Sequence, residues 1–211
     1  EQHNVMRALK NSFATTILQT VLALAVSSIA GYGFEIYHDK AKDTVMAILM
    51  LAMMVPFVAV LVPLFQMFTK AKLINSWAGF IMPSIATPFL IMYFRNSARS
   101  FPRDTLEAAR IDGLNEFQIF IRMFIPMMKP TYASAATITF MNAWNAYLWP
   151  KVIMQTNQAI TMPMLVANTM GGYVIDYGVV MAAVTICSLP TVIIFFCLQK
   201  SFTNAVAGAV K

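Results

Sequence analysis

Charge is the scarcest property of this chain: 11% of its 211 residues are Asp, Glu, Lys or Arg, against 59% hydrophobic. Soluble domains carry about 25% charged residues, so the deficit excludes an ordinary soluble fold and points to the bilayer. His3 and His38 stand alone, so neither a catalytic triad nor a metal cluster can be assembled around them. Cys187 and Cys197 lie ten apart in one apolar run, without metal spacing or a disulfide framework, and read as packing residues. None of the eight glycines precedes a lysine, so the nucleotide-cradling P-loop is missing. The chain reads as a non-enzyme with no cofactor and no metal. Its formal charge of +6 is spread over short interruptions between apolar runs, which argues against a nucleic-acid partner.

What is present is a succession of apolar stretches. The expected fold is all-α transmembrane, with spans at about 13–34, 44–68, 77–94, 131–149 and 177–198. The first covers 22 residues, or about 33 Å of helix, enough to cross a bilayer. Pro56 and Pro63 predict kinks in the second span, and Pro83 and Pro88 fall in the third. Gly31 and Gly33 invite close helix contact. No charged residue lies within these five stretches, which disfavours a proton-driven carrier built on intramembrane carboxylates.

The longest polar interruption runs over 95–129. Asp104-x-x-Glu107 reads as a capping box, Gly113 as a left-handed helix stop, and Asn115-x-x-Gln118 as a second box. Phe117, Phe120, Ile121 and Phe124 fall on one apolar stripe, and Pro126 ends the segment. The expectation is helix, tight turn, amphipathic helix. With this loop inside, ten Lys and Arg residues face the cytoplasm and five face out, the bias that sets orientation. Residues 151–176 then form an external loop and 200–211 a cytoplasmic tail, while residues 1–10 lie outside.

Asn142 and Asn145 are three apart, and Trp149 continues the face at i+7. Amides beside an aromatic plate suit a sugar's hydroxyls and C–H face. The same residues also serve as interhelical bonds and interfacial anchors. Both readings stand on sequence grounds.

Glu107-Ala108-Ala109, three residues, Gly113, nine residues, then Met123-x-Ile125-Pro126 resembles the EAA loop of ABC importer permeases, with Met123 and Ile125 departing conservatively from its Ile and Leu. The resemblance continues in Asn75-Ser76 with Gly79 and Pro83, and in Trp144-Asn145-Ala146-Tyr147-Leu148-Trp149-Pro150. Thr161-Met162-Pro163-Met164-Leu165 and the ending Gly208-Ala209-Val210-Lys211 extend it to the carbohydrate-uptake branch, and to the second permease of maltose-type systems. It implies one ABC-importer transmembrane domain over 1–211, with six spans in the full family chain, the first missing here. It also implies an ATPase-coupling role for Glu107, Ala108, Ala109, Asp112, Gly113 and Pro126. The implied partners are a second permease subunit, two ATPase subunits, an external solute-binding protein and the bilayer of the cell's inner membrane. The implied cargo is a sugar, oligosaccharide or glycerol-phosphate-like solute; permeases for amino acids or polyamines share the EAA loop. The loop with Gly171, Gly172 and Asp176 is a candidate contact for the binding protein.

Overall fold

The computed structural model describes residues 2–171 and 176–208, and every regular element among them is helical. Gly172 and the last three residues of the Gly-Ala-Val-Lys ending lie outside the described residues.

Helix α1 runs unbroken over Gln2–Ile36. It therefore takes in the polar start expected to precede the first span, and Glu35 at its other end. Ala8, Ser12, Gln19, Ala23 and Ser27 are all buried and recur every three or four positions and their multiples, one small or polar stripe along one side. That stripe lets α1 lie at the centre of the bundle. Gly31 is its tightest point: a Cβ there would stand 2.6 Å from Phe94 Cβ and 2.7 Å from the Arg95 nitrogen. Gly33 has no neighbour within 4 Å of such an atom, so only the first of the two glycines serves helix contact.

The second expected span is two helices rather than one kinked one. α2 (Lys40–Ala52) and α3 (Phe57–Lys70) meet at 103°, because Pro56 stands in extended backbone at the N-cap of α3. Pro63 sits inside α3 without interrupting it. The third span is likewise divided into α4 (Trp77–Ile85) and α5 (Pro88–Ala98), bent by 44°. Ser76 caps α4, its Oγ accepting from the Gly79 N–H at 3.0 Å. Pro88 takes the first turn of α5, where its missing N–H costs nothing.

α6 (Arg103–Ile111) and α7 (Glu116–Ile119) follow, then a π-helical turn at Phe120–Phe124 and a short α8 (Ile125–Met127). α9 covers Lys129–Trp144, 16 residues or about 24 Å. It stops before the expected end of the fourth span, and Leu148–Ile153 form a separate α10. The 151–176 stretch is more than a polar loop, since it contains α11 (Met162–Thr169) with Met162 and Met164 buried. Met162 packs with Ala8, Phe140 and Trp144. α12 runs from Tyr177 to Gly208, so the expected tail up to residue 208 continues the last helix.

α1 touches α4, α5, α9 and α11, while α12 lies against α9 and α11. By length and composition, Val5–Ile36 and Tyr177–Cys197 can each cross a membrane, and each bent pair qualifies as one further crossing.

Candidate functional site

Two regions are candidate sites: the helix–turn–helix around Gly113 and a cavity where the interrupted helices meet.

In the first, α6 turns Leu106 and Ala109 inward and leaves Glu107, Ala108, Arg110, Ile111 and Asp112 exposed. The expected Asp104–Glu107 box does not form. The helix begins two residues earlier, with Pro102 at the N-cap and no side-chain cap, so Asp104 sits inside the first turn. There its charge still favours the helix dipole. The stop is as expected. Gly113 has φ +79°, its N–H donates to the Arg110 carbonyl at 3.1 Å, and the Leu114 N–H donates to Ala109 at 3.1 Å. This pair of bonds is a Schellman motif, which needs a left-handed residue where Gly113 stands. The second box forms in full: Asn115 Oδ1 accepts from the Gln118 N–H at 2.9 Å, and Gln118 Oε1 accepts from the Asn115 N–H at 3.0 Å.

The apolar stripe beyond the turn differs from its expected period. Ile119, Phe120 and Phe124 are buried, while Phe117 is 72% exposed and Ile121 43% exposed. The π turn adds a residue to the helical repeat and shifts the buried face. It also explains why Pro126 does not end the segment. An α-helical register would press the proline ring on the carbonyl four residues back, and widening the turn upstream relieves that clash. The helix breaks two residues later, at Met128. Beneath this surface Tyr32 of α1 meets Phe120 and Phe124 edge-on, with ring centres at 5.2 and 4.9 Å. Phe101, Leu106 and Ala109 complete the cluster, which fastens α6 and α7 to α1 and the end of α5.

Arg110 and Glu116 bridge the turn at 2.8 Å. Burial opposes ionisation of Glu116, but the hydrogen bond from Arg110, with the Tyr37 hydroxyl nearby, outweighs it and holds the carboxyl below its ordinary value. The same bond raises Arg110. Burial first, then Glu116, pushes the Tyr37 hydroxyl up. Because the folded carboxyl titrates below the unfolded one, the pair's stabilisation is complete above the ordinary glutamate range and is lost as pH falls through the folded value. Both side chains are 41% exposed, which limits the contribution to about 1 kcal/mol or less. Glu116→Gln is therefore expected to lower the detergent-solubilised protein's Tm slightly at pH 7. The gap from wild type should close below about pH 4, and a gap independent of pH would exclude the ionised pair as its source.

Sequence reasoning missed the ion cluster beside this segment. Arg95 is 5% exposed within α5, not the first residue of a polar loop. Its Nε lies 3.3 Å from Glu35 Oε2 and its Nη2 donates to Asp43 Oδ1 at 2.6 Å. Arg99 also reaches Glu35, at 3.4 Å, and His38 reaches Asp43 at 2.9 Å. One buried guanidinium thus ties together α1, α2 and α5. The available signal was the four-residue spacing of Arg95 and Arg99 directly after an apolar run.

The second region is a half-open cavity of about 650 Å³. Three helix interruptions converge on it: Phe57 opens α3, Thr87 separates α4 from α5, and Ala146 and Tyr147 separate α9 from α10. Asn142 and Trp149 both line it, but they are not on one helical face as expected. α9 ends at Trp144, with Asn145 as its C-cap. Asn145 does not line the cavity; its Nδ2 donates to its own helix at Met141, 2.8 Å away. Trp149 arrives from α10 and is 8% exposed. Its Nε1 donates to the carbonyls of Gly79 and Phe80 at 3.1 and 3.2 Å, so only the ring is offered to the cavity. Irregular backbone at membrane depth is tolerated where it lines such a space.

Comparison with known proteins bears on the family and the fold. Residues 23–208 match the family described as binding-protein-dependent transport system inner membrane component. The chain is 40% identical to a lactose transport system permease protein of Rhizobium radiobacter, over 95% of this chain and 74% of that one. It is 34% identical to an arabinooligosaccharides transport system permease protein of Bacillus subtilis (strain 168), over 95% of this chain and 72% of that one. In fold it resembles a chain of a bacterial ABC transporter that imports the acidic polysaccharide alginate. That likeness has a TM-score of 0.85 at 22% identity, and covers 93% of this chain and 75% of that one. A methionine ABC transporter in inward-facing conformations gives a TM-score of 0.71 at 20% identity, with 97% of each chain covered. The chain belongs to the family of binding-protein-dependent transport system inner membrane components, and is a non-catalytic permease subunit seated in the inner membrane.

Proposed function

We propose that the chain forms one half of the pore of an ATP-driven sugar importer and receives the ATPase's motion through α6, Gly113 and α7. The observation that carries this reading is the exposed surface of Glu107, Ala108, Ile111, Asp112 and Phe117 over a fixed aromatic base. Ile111 is 85% exposed on the outward face of α6 beside Glu107, Ala108 and Arg110, and with exposed Phe117 it suits a protein partner better than solvent. The base reaches α1 through Tyr32, so a push on α6 is delivered to the central helix of the bundle rather than to a loose loop. Ala109 is packed beneath, and Pro126 lies within α8, just before the break at Met128 that leads into α9.

In this reading 95–129 faces the cytoplasm and 151–176 faces outward, toward a solute-binding protein that meets the loop at Gly171 and Asp176. Two ATPase subunits and a second permease complete the assembly. Substrate passes the cavity lined by Asn142 and Trp149, while Asn145 shapes the turn between α9 and α10. The sugar assignment rests on the two relatives named above for lactose and arabinooligosaccharides. The test is uptake of radiolabelled lactose, raffinose and arabinotriose into liposomes holding the whole complex, with binding protein outside and ATP inside. ATP-dependent accumulation of one sugar is expected. Uptake that ignores ATP and collapses with an ionophore would identify a secondary carrier instead.

A further inference from the structure

We infer that the cavity at the three helix breaks takes an uncharged polyhydroxylated solute, and that Gln19 of α1 is one of its direct contacts. This rests on the importer reading above and narrows it. Gln19 lies near the middle of Val5–Ile36 and is 8% exposed, yet it lines the cavity and makes no hydrogen bond among the described residues. A buried amide with two donors and an acceptor is rarely left without a partner. The side chains of Asn142, Tyr147 and Thr87 face the same space and are also without a hydrogen bond among the described residues. They come from α1, α9 and two of the breaks, so their convergence is not a by-product of one helix face.

The chemistry of this lining is selective. Amides and hydroxyls both donate and accept, which is what successive sugar hydroxyls need. Phe57, Phe80 and the Trp149 ring supply apolar plates for the C–H faces between them. None of the described residues lining the cavity carries a charge. A phosphate or carboxylate brought here would lose its hydration without a cation to replace it. The cavity thus favours neutral oligosaccharides over glycerol phosphates and uronates. Its volume falls in the usual range for a small-molecule site, about 300–1,000 Å³.

The test uses the complete complex in liposomes with internal ATP and radiolabelled lactose, raffinose, arabinotriose, glycerol 3-phosphate and digalacturonate. Wild type should accumulate at least one neutral sugar and neither anion. Gln19→Leu should cut that sugar's uptake about tenfold in complexes that still co-purify with the ATPase, as expected for one lost hydrogen bond to a largely buried side chain. Gln19→Asn should recover part of the loss, and Tyr147→Phe should lower uptake about threefold. If Gln19→Leu does not assemble, Tyr147→Phe decides by the same measure. Wild-type uptake in the deciding variant, or accumulation of either anion ahead of every sugar, overturns the inference while the importer reading stands. Absence of any ATP-dependent accumulation overturns both.

Discussion

Proline at position 113 is expected to abolish sugar uptake while the subunit still inserts and pairs. Gly113 holds φ +79°, and a proline ring fixes φ near −65°, so the chain cannot follow its path through the turn. The substitution also deletes the N–H that donates to Arg110, and it drives Asp112 out of its near-helical conformation at φ −71°, ψ 1°. α6 would then leave the turn at a different angle, carrying Glu107 and Ala108 away from any partner groove. Alanine at the same place is the control. No atom of the described residues lies within 4 Å of its Cβ, so its penalty is conformational, about 1 kcal/mol, and uptake should fall modestly. Uptake and ATP hydrolysis measured on the purified complex separate the cases. Wild-type coupled transport in Gly113→Pro would reduce 102–126 to a well-capped connector.

Removing the buried guanidinium should be the costliest single change away from the turn. In Arg95→Met, Glu35 keeps only the longer and more exposed contact to Arg99, while Asp43 is half exposed and can be rehydrated. Taking one member from a buried pair costs about 3–5 kcal/mol, whereas removing both is often close to neutral. The Tm of the detergent-purified complex should therefore drop sharply in Arg95→Met and recover in the Arg95→Met, Glu35→Met double variant. Arg99→Met supplies the surface comparison. An equal, small change in Arg95→Met and Arg99→Met would show that the cluster holds nothing together.

The helical class, the turn at Gly113 and the Asn115 box were legible because each depends on a few adjacent residues with narrow conformational preferences. Boundaries were harder wherever proline was involved. Pro56 breaks a span at 103°, Pro63 is absorbed inside a helix, and Pro126 is accommodated by a π turn, yet all three read alike in one dimension. What decides among them is whether neighbouring carbonyls can find other donors, which is a tertiary matter. Arg95 and Glu35 escaped for a related reason. They are sixty positions apart, and each stands at the edge of an apolar run where a charge ordinarily marks a loop. Gln19 was hidden by its surroundings: one amide among small and apolar residues has no pattern until the breaks after α4 and α9 and the bend before α3 are brought around it.

The π turn at Phe120–Phe124 has a further consequence for how the chain tolerates change in length. Each α-helical residue advances the side chains by about 100°, so one inserted residue rotates everything upstream of it relative to α9 by that angle. Under the coupling role proposed above, the turn is in effect a vernier between two parts that would each face a fixed direction: α6 toward a partner and α9 toward the bundle. Composition in this stretch can drift among large apolar residues, but the count of residues from Gly113 to Pro126 cannot. Under that coupling role, the length of the segment, as much as any side chain within it, would set the direction in which force enters the membrane.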